Sequence, residues 1–275
     1  MEKIVNLQTD VQHILVEGTK DNFDLYLDNQ HILNSKDYYR FYEALVHPVM
    51  SAHKQVKKVL VLGGGNGCVV QELLKYPEIE DIFVVDNDKY VSDLFTNDKI
   101  LAKVNNTSLS DGRVTIINSN IWDFVKQTDK KFDIVIADYH MPYDLSWSEM
   151  YSFEFYNDVK QIFEDNESLF VTKASSPTER PKFFWSVLQT MLDAGMYVSP
   201  YHQFVSSKGD CGFNIGGNRP FKITETFTIP TKSLNKAVIQ SMMVFGPDQQ
   251  SKEVDIITKD NMLGHSYYHD CNLYI

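Results

Sequence analysis

The stretch that decides the fold is Val59-Leu60-Val61-Leu62, followed directly by Gly63-Gly64-Gly65-Asn66-Gly67. Consecutive apolar residues without alternation predict a strand that is buried on both faces, as in a parallel sheet. The glycines let the backbone turn sharply and pass close to a ligand. A helical pattern follows through residues 69–74. The segment therefore predicts a strand, a glycine loop and a helix in succession.

Further apolar runs of strand length predict the rest of the sheet. They are residues 82–85, 114–117, 132–137 and 169–172. Helical segments separate them, which is typical of an α/β fold in which a parallel sheet has helices on both faces. Residues 197–215 alternate like a hairpin, with a turn at residues 207–210.

The N-terminal part of the chain has a different pattern. Short apolar stretches within residues 11–16 and 22–33 predict a small antiparallel strand unit. Residues 37–53 predict a helix, because apolar residues recur at a spacing of four. Proline cannot donate a helical hydrogen bond, so we expect this helix to end near Pro48.

The composition bounds the classes of function. The chain has 275 residues, with 26 lysines and arginines against 37 aspartates and glutamates, and a formal net charge of −11. These values are typical of a soluble globular protein. The acid excess argues against a general binder of nucleic acid or of anionic membranes, because neither polyanion would be attracted. It is compatible with a cationic small molecule.

Targeting and redox signals predict a cytoplasmic protein. Residues 1–10 lack the apolar segment of a secretory signal, and no apolar run reaches the roughly 18 residues of a membrane span. Cys68, Cys211 and Cys271 are far apart and form no CxxC pair, which argues against disulfides and a zinc site. We therefore expect no metal.

Polar residues follow three of the predicted strands, where an open α/β sheet binds its ligands. The loop of residues 63–67 follows the first strand, Asp86 the second, and Asn120 lies just after the third. Asp86 stands where a carboxylate holds ribose hydroxyls, although a helix cap or a turn acid would have the same pattern. Asn120 offers a donor and an acceptor to an adenine edge.

The glycine loop by itself could serve a dinucleotide, a nucleoside sulfonium or only a tight turn. The sequence lacks the Gly-Lys-Ser/Thr of a phosphate-binding loop, and Gly-Gly-Gly-Asn-Gly differs from the Gly-x-Gly-x-x-Gly pattern. These two differences favour an S-adenosyl sulfonium ligand over a nicotinamide dinucleotide.

The chain resembles the spermidine synthase or polyamine aminopropyltransferase family over nearly its whole length. The most specific part is Glu43-Ala44-Leu45-Val46-His47-Pro48 followed by the glycine loop. The other matching stretches are residues 24–27, 35–37, 72–77, 132–138 with 142, 200–202 and 209–213. The resemblance implies a Rossmann-like methyltransferase fold, dependent on S-adenosylmethionine, with a small N-terminal β-domain. On this basis we expect a strand domain with a connecting helix at residues 1–55 and a catalytic domain at residues 56–275, in a homodimer.

The resemblance implies a transferase that moves an aminopropyl group from decarboxylated S-adenosylmethionine to an amine and releases methylthioadenosine. Asp138 matches the family's catalytic aspartate, Gln12 a donor-binding glutamine, and Asp86 the ribose-binding acid, shortened from glutamate. The donor-binding residues would be Gln12, Gly63, Gly64, Gly65, Asn66, Gly67, Asp86 and Asn120. A carboxylate near the reacting nitrogen suits the reaction, because the attacking amine must be unprotonated. A buried aspartate that caps a turn is the alternative for Asp138.

Several positions depart from the family pattern, most of them on the amine-binding side. Asn66 stands where the family has the aspartate that holds the donor's amine, and Met141 where a second aspartate anchors the acceptor. Phe41 and Tyr42 replace a tyrosine and a polar residue, and Asn120 replaces an aspartate of the adenine site. Several such losses together indicate a changed substrate.

A changed substrate implies a changed acceptor pocket. Its lining would include Phe41, Tyr42, Tyr139, His140 and Met141, although packing roles are equally open for these residues. Imidazole can accept a proton near neutral pH, which singles out His140.

Three functions stay open at this point. The first is aminopropyl transfer to a small-molecule amine. The second is methyl or aminocarboxypropyl transfer from intact S-adenosylmethionine to a non-polyamine acceptor, because Asn66 removes a repulsion toward the donor's carboxylate. The third is a nucleoside-binding relative that has lost turnover and acts through its dimer.

Overall fold

An antiparallel sheet forms the N-terminal part of the protein, as predicted. The structure is a computed structural model, and it describes residues 2–251 and 253–270. The strands, in spatial as well as chain order, are β1 (Glu2–Gln8), β2 (His13–Thr19), β3 (Asn22–Leu27) and β4 (Gln30–Asn34). The sequence pattern missed β1.

A seven-stranded sheet forms the larger part. Its strands are β5 (Lys58–Gly63), β6 (Asp81–Asp86), β7 (Val114–Asn118), β8 (Ile134–Asp138), β9 (Leu169–Ser175), β10 (Tyr197–Val205) and β11 (Gly209–Gly217). The spatial order is β10-β11-β9-β8-β5-β6-β7, and the five strands from β9 to β7 are parallel. The predicted parallel sheet and hairpin are confirmed. The chain leaves the central strand β5 in one direction and returns to β8 on its other side, so a topological switch point lies at β5.

Helices cover both faces of this sheet. They are α1 (Tyr38–Ala52), α2 (Cys68–Leu73), α3 (Lys89–Asn97), α4 (Ile121–Gln127), α5 (Leu145–Ser148), α6 (Phe153–Gln161), α7 (Pro181–Asp193), α8 (Lys236–Met242) and α9 (Leu263–His269). Val59 and Val61 pack into one apolar core with α1, α2 and α3, while Leu60 and Leu62 pack into a second core with α4, α6 and α7. Across the two described ranges, no helix is both long and apolar enough to cross a membrane.

Cys68 and Cys211 are buried and free, and Cys271 lies outside the described residues. The division of the chain at residue 55 stays a prediction. Hydrogen bonds do cross it, because Thr9 and Gln12 both donate to the carboxylate of Asp88.

Helix α1 continues through Pro48 to Ala52, so the expectation that it ends at the proline is wrong. Pro48 has no N–H to donate to the carbonyl of Ala44, one turn earlier. The hydroxyl of Tyr201 on β10, which is fully buried, donates to that carbonyl at 2.9 Å instead. A buried carbonyl without a partner is costly, and this side chain removes the cost.

We therefore expect the Tyr201→Phe variant to lose about 1–2 kcal/mol of unfolding free energy, because it leaves the Ala44 carbonyl unpaired. In a Pro48→Ala background the restored N–H serves that carbonyl, so the same substitution should cost less than half as much. Urea denaturation of the four proteins of this cycle measures both values. An equal cost in the two backgrounds would show that the proline does not create the need for the tyrosine.

Candidate active site

The carboxyl ends of β5, β6 and β8 meet at one edge of the sheet. Gly63 has a φ of 80°, and a Cβ atom there would lie 2.8 Å from the backbone nitrogen of Tyr139. A Cβ atom at Gly65 would lie 2.8 Å from Oδ2 of Asp86. Since no side chain fits at either position, the glycines let the loop close onto both neighbouring strand ends.

Two cavities open at this edge. The glycine-loop cavity has a volume of about 40 Å³. Its lining includes Gln12, Gly63, Gly64, Gly65, Asn66, Asp86 and Tyr139. The lysine cavity has a volume of about 280 Å³. Its lining includes Phe41, Met141 and Lys208. Ile32, Asp138, His140 and Lys173 line both cavities, so the two meet at the predicted catalytic aspartate.

Asp86 is held in place by backbone donors. Its Oδ2 accepts from the N–H of Gly65 and its Oδ1 from the N–H of Asp88, each at 2.9 Å. Burial raises the pKa of Asp86 to about 6, although these two hydrogen bonds favour the charged form. Each oxygen keeps a second lone pair that can accept from a ligand hydroxyl.

Asp138 is buried, and its two oxygens have different surroundings. Oδ1 lies 3.2 Å from Nζ of Lys173. Oδ2 finds no hydrogen-bond partner among residues 2–251 and 253–270. Burial raises the pKa of Asp138, while Lys173 and then Lys208 act in the opposite direction. A buried carboxylate oxygen without a hydrogen-bond partner costs free energy. A hydrogen-bond donor on a substrate would therefore be stabilised at this point.

His140 belongs to a chain of buried hydrogen bonds. Its Nε2 lies 2.9 Å from Oε1 of Gln12, and Nε2 of Gln12 donates to Asp88 at 3.0 Å. Because the amide oxygen of Gln12 can only accept, Nε2 of His140 carries the proton. Nδ1 is then a bare acceptor, and it has no partner within the described part of the chain. Burial lowers the pKa of His140 to about 4, so its ring is neutral near pH 7 and a weaker base than an exposed imidazole.

The other predicted acceptor residues differ in their surroundings. The hydroxyl of Tyr42 is buried and accepts from Nδ2 of Asn66 at 3.0 Å, and Oδ1 of Asn66 accepts from the N–H of Cys68. Tyr139 donates to the carbonyl of Met150 at 2.7 Å, so its hydroxyl points into the core. Because Asn66 belongs to the glycine loop, its hydrogen bond to Tyr42 helps to orient that loop.

Two predicted donor residues lie apart from the cavities. Gly67 has a φ of 74° and makes the turn into α2. Asn120 is exposed, and its Oδ1 caps α4 by accepting from the N–H of Asp123 at 3.1 Å. Asn120 lines neither of the two cavities. Its role at the adenine stays a prediction.

The sequence reading missed two lysines of the site. Lys173 lies on β9 near its carboxyl end, so the rule that found Asp86 and Asp138 would also have found it. Lys208 lies in the turn between β10 and β11, and its Nζ donates to the carbonyls of His31 and Ile32 on β4. No local signal marks Lys208, because its position depends on how the hairpin packs against the N-terminal sheet.

A buried cluster of Glu43, His47 and Glu72 has ligand atoms within 4.8 Å of one another, close enough for a metal ion. These atoms already have partners. His47 contacts Glu72 at 2.8 Å, the ammonium of Lys75 contacts Glu72 at 2.5 Å, and Glu43 accepts from the backbone N–H groups of residues 232–233. The lysine supplies the positive charge that a metal would supply. The expectation of no metal stays a prediction.

The pKa values of His140 and His202 are shifted in opposite directions, and measuring both tests how burial and hydrogen bonds act on these rings. Burial alone would lower the pKa of His202, but hydrogen bonds to Asp210 and to the carbonyl of Val244 raise it above 6.5. At pH 6.5 we expect a His202 ring that is more than half charged and a neutral His140 ring that titrates only near pH 4. Nitrogen-15 NMR measures both, with His140→Gln and His202→Gln to assign the signals. Titration of His140 near pH 6.5 would contradict its burial.

Comparison with known proteins relates this site to a family. The family model described as "Spermine/spermidine synthase domain" matches residues 39–214. A polyamine aminopropyltransferase of Leptospira interrogans is 34% identical over 267 residues, which are 97% of this chain and 53% of that protein. Polyamine aminopropyltransferase 2 of Ralstonia nicotianae is 33% identical over 256 residues, which are 92% and 50% of the two chains. The chain thus spans about half the length of these relatives.

Solved structures share the fold. Spermidine synthase from Thermotoga maritima superimposes with a TM-score of 0.79 at 21% identity, over 89% of this chain and 84% of that one. A spermidine synthase in complex with the transition-state analogue AdoDATO gives 0.79 and 21%, over 89% and 85%. The predicted fold class, a Rossmann-like α/β domain with a small N-terminal β-sheet, is confirmed. Because the family model covers most of its length, the chain belongs to the spermine/spermidine synthase family.

Proposed function

We propose that this chain carries an aminopropyltransferase that moves the aminopropyl group of decarboxylated S-adenosylmethionine to an amine and releases methylthioadenosine. Family membership supports this proposal. The observation that carries it is the position of Asp138, whose unpaired Oδ2 lies where the two cavities meet. A sulfonium donor in one cavity and an amine acceptor in the other would then both reach the carboxylate of Asp138.

The nucleoside of the donor would bind at the glycine-loop cavity. Asp86 has oxygen lone pairs for ribose hydroxyls, and the amide of Gln12 lines the same space. The cavity of about 40 Å³ is far smaller than the roughly 300–1,000 Å³ of small-molecule sites. Trp147 lines this cavity, and the centroid of its ring lies 4.8 Å from that of His140. We therefore expect the segment that carries Trp147 to move when the donor binds.

The reaction is a displacement at the carbon next to the sulfonium. An uncharged amine of the acceptor attacks this carbon, the new C–N bond forms, and the C–S bond breaks with its electron pair going to sulfur. The product nitrogen then loses a proton. Asp138 suits this proton transfer, because burial raises its pKa toward the working range of a base. Lys173 holds one of its oxygens and leaves the other free.

A second candidate is transfer from intact S-adenosylmethionine. The observation that favours it is the side chain of Asn66, which is an uncharged amide held by Tyr42 and by the N–H of Cys68. An amide in this place would not repel the carboxylate of the intact donor. The retained Asp138, with its unpartnered Oδ2, argues against a relative without turnover.

The product of the reaction separates these functions. Purified protein would be incubated with each sulfonium donor and a pool of amines, and the nucleoside product identified by mass spectrometry. We expect methylthioadenosine from the decarboxylated donor. S-adenosylhomocysteine would show methyl transfer, and methylthioadenosine from the intact donor would show aminocarboxypropyl transfer. If no donor yields a product, both enzymatic proposals fail.

The Asp138→Asn variant tests the proposed base. We expect transfer to fall by roughly 10²- to 10⁴-fold, because the amide cannot take the proton. Binding of methylthioadenosine, measured by calorimetry, should stay within about twofold, since the glycine loop and Asp86 are intact. The exposed Asp193, at the end of α7, gives the matched control Asp193→Asn. Full turnover of Asp138→Asn would assign the base elsewhere.

The proposed reaction implies two small-molecule partners. A small-molecule amine is the proposed acceptor, with the sulfonium donor as co-substrate. The homodimer and the cytoplasmic location stay predictions.

A further inference from the structure

The lining of the lysine cavity has three carboxylates and three cationic side chains, and one of these cations, Lys208, takes part in no ion pair among the described residues. Nζ of Lys208 donates to the carbonyls of His31 and Ile32 at 2.7 and 2.9 Å. In the described part of the chain it forms no ion pair with a carboxylate. An ammonium has three N–H donors, so one remains for a ligand.

A second ammonium lies on the same wall of the cavity. Nζ of Lys208 lies 5.4 Å from the ring centre of Phe41, and Nζ of Lys173 lies 6.0 Å from it. Lys173 neutralises Asp138 and is neutralised by it. The pair leaves Lys208 as the uncompensated charge. Burial, together with the repulsion from Lys173, lowers the pKa of Lys208 to about 8, although Cys211, Asp138 and Asp37 act in the opposite direction.

The other acids of the cavity are already paired. Glu179 forms an ion pair with Arg180 at 3.3 Å. Asp210 contacts His202 at 2.7 Å and accepts from the hydroxyl of Thr178 at 3.0 Å. Each of these carboxylates already has a cationic or hydrogen-bonding neighbour, so an ammonium there would meet no unpaired negative charge.

This charge distribution conflicts with a diamine acceptor. A diamine brings an ammonium at the end that does not react, and Met141 offers it no charge where the family resemblance implies an aspartate. Lys208 would repel that ammonium, because like charges in a partly buried site disfavour each other. A carboxylate at the same end would instead be attracted and would accept the remaining N–H of Lys208.

We infer that the acceptor is an amine that also carries a carboxylate, which Lys208 binds while the amine faces Asp138. This inference rests on the proposed transferase function and names its class of acceptor. The uncharged amine attacks the aminopropyl carbon, the C–N bond forms, and the C–S bond breaks with its electrons going to sulfur. The proton leaves the product nitrogen through Asp138. The carboxylate is unchanged, and the products are an N-aminopropyl amino acid and methylthioadenosine.

Matched acceptors test the inference. Diamines with chains of three, four and five carbons would be compared with ω-amino carboxylates of the same chain lengths, using decarboxylated S-adenosylmethionine. Release of methylthioadenosine gives kcat/KM for each. For the wild type we expect the best amino carboxylate to exceed the diamine of equal length by roughly 10-fold or more, the size of a hydrogen bond to a charged group.

Substitutions of Lys208 make the test specific. Lys208→Met should lower kcat/KM for the amino carboxylate by roughly 10- to 100-fold and raise that for the diamine, because the repulsion of its ammonium is removed. Lys208→Glu should reverse the preference, and Lys208→Arg should retain it. The exposed Lys103, which lines neither cavity, gives the control Lys103→Met. Unchanged methylthioadenosine binding would show that each variant is folded.

The outcomes distinguish the inference from the function on which it rests. Release of methylthioadenosine with diamines in preference to amino carboxylates at every length, with no effect of Lys208→Met on the ratio, would overturn the inference and leave the transferase standing. No release with either series would overturn both. A preference for amino carboxylates that Lys208→Glu reverses supports both.

Discussion

The parallel pairing of β5 with β8 is the contact on which the rest of the site depends. Its register places Gly63 opposite Asp138. The backbone of β5 approaches residues 138–139 so closely that a side chain at Gly63 would collide with them. This approach brings the glycine loop, the buried carboxylate of Asp138 and the backbone that leads to His140 to one edge of the sheet. Two cavities can then share one carboxylate.

Most of the sheet could be predicted from the sequence, because strands buried on both faces appear as continuous apolar runs. The prediction of where helix α1 ends was wrong, because a residue far along the chain compensates for the proline. Pro48 does end many helices, but here the hydroxyl of Tyr201, far along the chain, supplies the hydrogen bond that the proline removes. Strand β1 was missed because its edge position leaves its apolar pattern weak.

The site was predictable to the extent that it follows strand ends. Asp86 and Asp138 are the last residues of β6 and β8, and the structure places both beside the glycine loop. Lys208 could not be found in this way, because a lysine in a turn is usually exposed. Its partial burial comes from the packing of the hairpin against β4. The overall excess of acids gave no indication of this local positive charge.

The hairpin of β10 and β11 is fixed in the core by one of its strands, while its turn lines the lysine cavity. Tyr201 fixes the hairpin to α1, while its turn projects Lys208 into the cavity. Turns tolerate substitution far better than the strands of a buried parallel sheet. Under the proposed function, acceptor preference can therefore diverge between relatives through a few changes in one turn, while the glycine loop and Asp138 stay constant. In such a fold, new substrates can evolve without loss of the existing chemistry.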